Sequence, residues 1–361
     1  MQSLVAESRA SSRRRSPVKR AAATTSRKSG GLSQKHKSGP PGSIDAHSHW
    51  APTGYINYLA ELGQSQVSSG WPVDPKMFDL DARLEWMDSR GVRTHLLTLS
   101  GSMPWQWAKP DEAVRLARIV NDAAIEAHLK HSDRFLAGIA LPIRNPVAAL
   151  EELNRVAGRP GIRAVHLPNS IESKDYLFAP EYMPLLARCE ELGYPLVFHP
   201  LDGVPNHYAG SERLAGPTFM YNSLGFPFET ATTAAKLIFT GTLDRFPKLH
   251  FVLPHSGGCF PYIAGRIEHS IRKGAAKVKL LHSIRDYLRR FHYDSLAYNV
   301  ETLRFMVDLL GADRIVIGTD NYAIMDVDQP NALVLELKLP AADRDRILRG
   351  NAAKLFGIKS G

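Results

Sequence analysis

His47 and His49 stand one residue apart in Ile44-Asp45-Ala46-His47-Ser48-His49-Trp50, at the end of a short apolar run that reads as a strand. Alternate residues of a strand project to one face, so two imidazoles at this spacing point the same way. A pair of neutral imidazoles suits a borderline-soft divalent cation such as zinc, which needs one or two further ligands. Two histidines on a solvated strand end would have the same spacing, so the pair gains meaning only from what answers it. Three later apolar runs do so. Pro195-Leu196-Val197-Phe198-His199-Pro200 delivers His199, His250-Phe251-Val252-Leu253-Pro254-His255 delivers His255, and Ile315-Val316-Ile317-Gly318-Thr319-Asp320 delivers Asp320. Each run ends in a metal-binding residue type followed by a turn-former.

His47, His49, His199 and Asp320 make a mononuclear site with a position left open for water or substrate. The aspartate lowers the net charge of the site and still leaves the ion acidic enough to activate water. His255 is assigned to acid/base work, since catalysis near neutral pH needs a titratable group free to move a proton. Its alternatives are a ligand or a packing residue tied to the backbone. Asp45 is expected on the same side as the pair, where it would orient a ligand or cap the strand. His95 and His166 read as core histidines, and His128, His131, His269 and His282 as solvated ones. Trp50, Trp71, Trp105, Trp107 and Tyr322 fall on or near loops that would border the site, and Trp71 and Trp107 are taken as substrate-binding candidates for a flat ligand.

These residues converge only if the strand ends meet. Strand patterns run over 44–50, 93–100, 134–142, 162–168, 195–200, 250–256, 291–296 and 315–320. Helical periodicity falls between them, over 80–90, 145–157, 179–192, 227–243, 260–273, 299–310 and 341–355, and most clearly where Ala113, Leu116, Ala117, Val120, Ala124 and Ala127 form one stripe. Repeated βα units of this number predict an α/β fold, a (β/α)8 TIM barrel, whose C-terminal strand ends share one mouth. A second metal in such a barrel would need a bridging Lys on the fourth strand; Ile162 to Asn169 contains none, which favours one ion. The Gly-, Pro- and Asn-rich stretch 201–226 is long for a βα connection and reads as a lid or subunit contact.

Of 361 residues, the first 43 hold ten Lys or Arg and one Glu, so the whole net charge of +9 sits there and residues 44–361 are formally neutral. Residues 1–43 are expected to be a disordered basic extension, suited to targeting or polyanion contact, and 44–361 the barrel domain. A neutral body makes nucleic acid a poor expectation as partner. No apolar run approaches the about 18 residues of a membrane span. Two cysteines, Cys189 and Cys259, exclude a disulfide framework and fit a reducing cytoplasm. Cys189 reads as a small buried hydrophobe, whereas Cys259 lies close to the expected mouth.

Taken in order, Ile44-Asp45-Ala46-His47-Ser48-His49, Phe198-His199-Pro200-Leu201-Asp202, His255-Ser256-Gly257-Gly258-Cys259-Phe260-Pro261 with Gly265-Arg266-Ile267, Gly318-Thr319-Asp320 and Gly350-Asn351-Ala352-Ala353-Lys354-Leu355-Phe356-Gly357 resemble the amidohydrolase-superfamily branch typified by aminocarboxymuconate semialdehyde decarboxylase. The resemblance covers residues 44–357. It implies a barrel of the amidohydrolase type, dimeric, dependent on Zn2+ or another divalent metal such as Mn2+, with His47, His49, His199 and Asp320 as ligands and His255 handling a proton. It also implies that Arg266 holds a substrate carboxylate across the subunit interface, a task suited to a guanidinium fork. The chain departs from the pattern in three places. No Arg occurs in 51–82, where the family's second carboxylate-binding arginine falls, Leu201 replaces a tryptophan, and Tyr322 replaces a proline.

The expected function is a metal-dependent decarboxylase, a carboxy-lyase acting on a small aromatic or unsaturated acid with fewer carboxylates than the muconate. Either metal hydroxide adds to the substrate, or the metal chelates it while a protonated residue, Asp320, donates to the carbon losing carbon dioxide. A hydrolase or hydratase acting on an ester, lactone, amide or double bond would use the same site. A basic-tailed binding protein is the reading from a third class.

Overall fold

The computed structural model describes residues 42–64, 74–99, 103–201, 220–275 and 278–358. The strands are β1 (Ser43–His49), β2 (Val92–Thr98), β3 (Phe135–Ala140), β4 (Ile162–Pro168), β5 (Leu196–His199), β6 (Phe251–Leu253), β7 (Phe291–Asp294) and β8 (Ile315–Val316). Each pairs in parallel with the next in chain order, in one eight-stranded sheet. The sheet closes where the Ala46 N–H donates to the Ile317 carbonyl at 2.8 Å and the Asp320 N–H to the His47 carbonyl at 2.9 Å. Strands covered on both faces need apolar residues throughout, which is why they read as continuous runs.

The principal helices are α1 (Thr53–Glu61), α2 (Leu80–Arg90), α3 (Pro110–Lys130), α4 (Pro146–Val156), α5 (Met183–Leu192), α6 (Phe226–Phe239), α7 (Phe260–Arg272), α8 (Val300–Leu310) and α9 (Asn351–Leu355). Their ends follow local chemistry: Asp79 accepts from the N–H groups of Asp81 and Ala82 at the start of α2, and Gly91 closes it in the left-handed conformation. Periodicity did not find α1 or the short helices Ile284–Leu288 and Ala332–Glu336. The stretch 341–355 is not one helix but Ala341–Asp345, a π turn over Arg346–Gly350, and α9. Most of the stretch expected to form a lid, residues 202–219, and nearly all of the basic extension lie outside the described residues.

Two apolar layers flank the strands. The larger lies between sheet and helices and includes Phe198, Phe251, Phe291 and Leu116. The smaller fills the barrel with Ile44, Ala46, Leu96, Leu136, Ala164, Val197, Val252 and Val316, and Leu355 and Phe356 from the chain's last helical segment close it from below. Packing at that end leaves the mouth for chemistry. Among the described residues no helix is long and apolar enough to cross a membrane. Phe356→Ala is expected to destabilise the barrel by about 3–5 kcal/mol through loss of buried area and an unfilled cavity; a shift of the urea midpoint at unchanged slope measures it.

Candidate metal centre and active site

Five side chains from four strand ends meet at the mouth. His49 and His199 are the last residues of β1 and β5, His255 follows β6 by two residues, and Asp320 follows β8 by four. One ligand atom from each of His47, His199, His255 and Asp320 lies within 4.8 Å of the others. His49 joins through its Nε2, 2.7 Å from Asp320 Oδ1, and His47 Nε2 is 3.5 Å from the same oxygen. All but half-buried His255 are buried.

Each of the three paired-strand imidazoles is tied from behind. His47 Nδ1 donates to Asp294 Oδ2 at 2.7 Å, His49 Nδ1 to the Leu99 carbonyl at 3.1 Å, and His199 Nδ1 to the Pro200 carbonyl at 2.7 Å. Carbonyls only accept, so Nδ1 carries the proton in His49 and His199, and the same tautomer follows for His47 against a carboxylate. All three rings therefore keep an Nε2 lone pair, the tautomer metal-binding histidines adopt; the ligand atoms that lie mutually close are those of His47, His199, His255 and Asp320, and His49 Nε2 reaches the group through Asp320 Oδ1.

A divalent ion fits this donor set. The Nε2 atoms of His47 and His199 are buried without a hydrogen-bond partner among the described residues. The His49 Nε2 lone pair faces a carboxylate oxygen at 2.7 Å, a contact that needs a proton on one of the two atoms or a shared cation; burial disfavours the doubly protonated ring and the surrounding imidazoles disfavour a protonated Asp320, so a shared cation fits. Asp294 and Asp320 also bring two carboxylates into the buried cluster; burial works against protonating His47, but the Asp294 hydrogen bond and the Asp320 charge outweigh it and raise that ring, and one divalent cation would offset the same negative charge.

Burial pushes His255 down to about 4 despite the nearby Asp320 carboxylate, which pulls the other way. Burial works to raise Asp320, but the His49 hydrogen bond and the surrounding imidazoles outweigh it and hold the carboxyl at about 2. His199 is held well below the usual imidazole range by burial and then by its imidazole neighbours. The Phe226 ring stacks on His255 at 5.9 Å and meets His199 edge-on at 5.7 Å, giving the pocket an aromatic wall.

Asp294 was not found by sequence reading. It ends β7 and accepts from His47 Nδ1, from the backbone N–H groups of His255 at 2.8 Å and Ser256 at 2.7 Å, and from Leu296 N–H at 3.2 Å. His255 and Ser256 have φ of 52° and 54°, a region that costs non-glycine residues about 1–3 kcal/mol each, so the carboxylate secures a strained turn. The signal was present: Phe291-His292-Tyr293-Asp294-Ser295 is another apolar run ending in a ligand-type residue before a turn. Gly258 completes the turn, since a Cβ there would lie 2.0 Å from the Pro227 carbonyl oxygen.

Asp45 does not share the side of His47 and His49. The β1–β2 register shifts between Asp45 and Ser48, which breaks strict alternation. Asp45 therefore faces the helix layer, where it accepts from the His47 backbone N–H at 3.0 Å and from the Thr319 hydroxyl at 2.5 Å. It holds the strand and not a ring. His95 and His166 are both buried, as expected of core histidines; His95 Nδ1 accepts from Arg83, while His95 Nε2 and His166 Nδ1 have no hydrogen-bond partner among the described residues. His128 is not solvated: it is half-buried and donates to the Phe135 carbonyl. His131 is half-buried too.

Tyr322 is buried, with the guanidinium of Arg83 4.9 Å from its ring centre, and so supports the site instead of lining it. Trp107 is exposed beside the mouth after β2, and Trp71 lies outside the described residues. Arg266 is exposed on α7. Cys189 is buried, and burial raises the half-buried Cys259 thiol, which leaves it a poor nucleophile.

Gly318 sits where β8 passes between β7 and β1: a Cβ there would lie 2.7 Å from Asp294 Cβ and 3.1 Å from His47 Cβ. Gly318→Ala is therefore expected to part these two residues and lower divalent-metal affinity about tenfold or more; metal titration beside a far-ultraviolet circular dichroism spectrum checks this.

A family model described as Amidohydrolase matches residues 44–358. A gamma-resorcylate decarboxylase of a Rhizobium species is 33% identical over 294 residues, 77% of this chain and 87% of that protein. A 2-amino-3-carboxymuconate-6-semialdehyde decarboxylase of Dictyostelium discoideum is 27% identical over 340 residues, 87% of this chain and 91% of its own. The solved dihydroxybenzoic acid decarboxylase of a Polaromonas species, with bound manganese and 2-nitroresorcinol, superimposes with a TM-score of 0.75 at 26% identity, over 89% of this chain and 98% of that one. Matched along nearly its whole barrel and related over most of its length to decarboxylases, this chain belongs to the amidohydrolase family and is an enzyme, a carboxy-lyase.

Proposed function

We propose that the chain is a divalent-metal-dependent decarboxylase of a small hydroxylated aromatic acid, with His47, His49, His199 and Asp320 holding the metal and His255 moving the proton. The observation that supports this reading is that His47, His49 and His199 each have Nδ1 tied elsewhere, with His49 Nε2 against Asp320 Oδ1 and ligand atoms of His47, His199, His255 and Asp320 mutually within 4.8 Å at the barrel mouth. Three imidazoles and one carboxylate suit Zn2+ or Mn2+, and a relative of known structure carries manganese. Bound there, the ion supplies a Lewis acid that polarises substrate or water oxygens.

Decarboxylation breaks the carbon–carboxylate bond, leaves its electron pair on carbon, and takes up one proton there. His255, neutral at pH 7, can accept a proton arriving from solvent and pass it to that carbon. Asp320, held ionised at about 2, is a ligand carboxylate and a poor proton store, which weighs against it as the donor. The Phe226 ring beside His255 favours a flat aromatic substrate. Arg266, exposed on α7, is assigned to a substrate carboxylate in the site of a partner protomer, which makes the working unit a homodimer. Trp107 is assigned to the rim of the pocket, and cytoplasmic location follows the cysteine usage.

Metal analysis of purified protein, followed by chelation and re-addition of Mn2+ or Zn2+, tests the reading with 2,6-dihydroxybenzoate and related acids. Carbon dioxide release that stops on chelation and returns with metal is the expected result. Full turnover after chelation, or turnover of esters or lactones without carbon dioxide release, overturns it. The pH profile follows from His255: its protonated form gives the proton to carbon, and that form is populated only as pH falls toward the pKa. Where this transfer limits the rate, kcat/KM should therefore rise as pH drops toward about 4 and level off below it. His255→Asn should lower kcat by about 10²–10⁴-fold.

A further inference from the structure

Arg83 is a fully buried guanidinium on α2 whose hydrogen bonds go only to neutral acceptors. Its Nε donates to the Lys76 carbonyl at 3.1 Å, one terminal nitrogen to His95 Nδ1 at 3.1 Å, and the other to the carbonyl of His49. Burying such a charge costs several kcal/mol unless it is compensated. The compensation runs through His95. Because a guanidinium only donates, His95 accepts at Nδ1 and carries its proton on Nε2, which makes no hydrogen bond among the described residues but lies 3.4 Å from Asp45 Oδ2, close enough for an electrostatic contact. Asp45 in turn accepts from the N–H of His47 and from the hydroxyl of Thr319, the neighbour of Asp320.

We propose that Arg83, relayed through His95 to Asp45, is a positioning device for the metal ligands, gripping the His47-Ser48-His49 segment at both ends. Arg83 holds the carbonyl of His49 while Asp45 holds the amide of His47 and the approach to Asp320. The inference rests on the metal-centre reading above. A planar fork reaching three acceptors cannot be replaced by a lysine, which offers a single point of attachment.

The test measures Mn2+ affinity of the full chain, stripped of metal, by competition with a chelator, with the electron paramagnetic resonance spectrum of bound Mn2+ and thermal unfolding read in parallel. His95→Gln keeps an acceptor for Arg83 and a donor for Asp45, whereas His95→Leu removes both. The Leu variant should bind Mn2+ about 10–100-fold more weakly with an altered spectrum, and the Gln variant within about threefold of the parent. Arg83→Lys keeps the buried charge, so it reports even if the Leu variant does not fold; it should weaken binding by about tenfold or more. Parental affinity and spectrum in folded His95→Leu or Arg83→Lys protein overturns the inference, as does a Gln variant as weak as the Leu variant. A parent protein that binds no Mn2+ removes the metal-centre reading itself, a separate outcome.

Discussion

Asp294 ties the site to the barrel. Its two oxygens take the ring N–H of His47 and the backbone N–H groups of His255 and Ser256, so one buried carboxylate sets the tautomer of the proposed ligand and holds the turn that carries the proposed acid/base residue. A carboxylate at 0% exposure is stable only when its lone pairs are filled, and here the groups that fill them are the ones the chemistry needs in place. Ligand and proton carrier therefore move as one body.

The same economy of charge governs the rest of the mouth. Behind β1, burial pushes Asp45 up to about 7 even with the Arg83 guanidinium beyond His95. Asp294 and Asp320 are left facing three imidazoles whose Nδ1 protons are already committed. Protonating the rings would supply positive charge, but burial resists it at His49, His199 and His255. A divalent cation held by the proposed ligands would meet the deficit. Asp320, with φ of 57°, is held in a left-handed turn by its N–H bond to the His47 carbonyl, the contact that also closes the barrel.

Stability and chemistry are divided between the two ends. Aliphatic residues and the chain's own Leu355 and Phe356 fill the lower barrel, where nothing titratable is asked to react. Above them, strand ends exchange aliphatic side chains for imidazole and carboxylate, and the loops that follow carry the aromatic surface. The Phe226 ring stands against His255 and His199 at that end, and the proposed metal-binding set sits at strand ends.

The eight strand runs, their alternation with helices and four strand-end ligand residues were readable in the chain because each depends on local pattern: apolar runs, turn-formers after them and residue type. Asp294 was equally readable, yet its strand end was not asked the question put to the others. Arg83 carried a fainter trace, a charged residue on the helix stripe shared with Leu80 and Met87. Which way Asp45 faces was not readable at all, since a register shift of β1 against β2 reverses the alternation that sequence spacing assumes. Local order thus specified the elements and most of the ligands. Only tertiary structure decided the tautomers, the charge balance and the direction of each side chain, because those depend on partners up to 274 positions away, brought within hydrogen-bonding distance when the barrel closes.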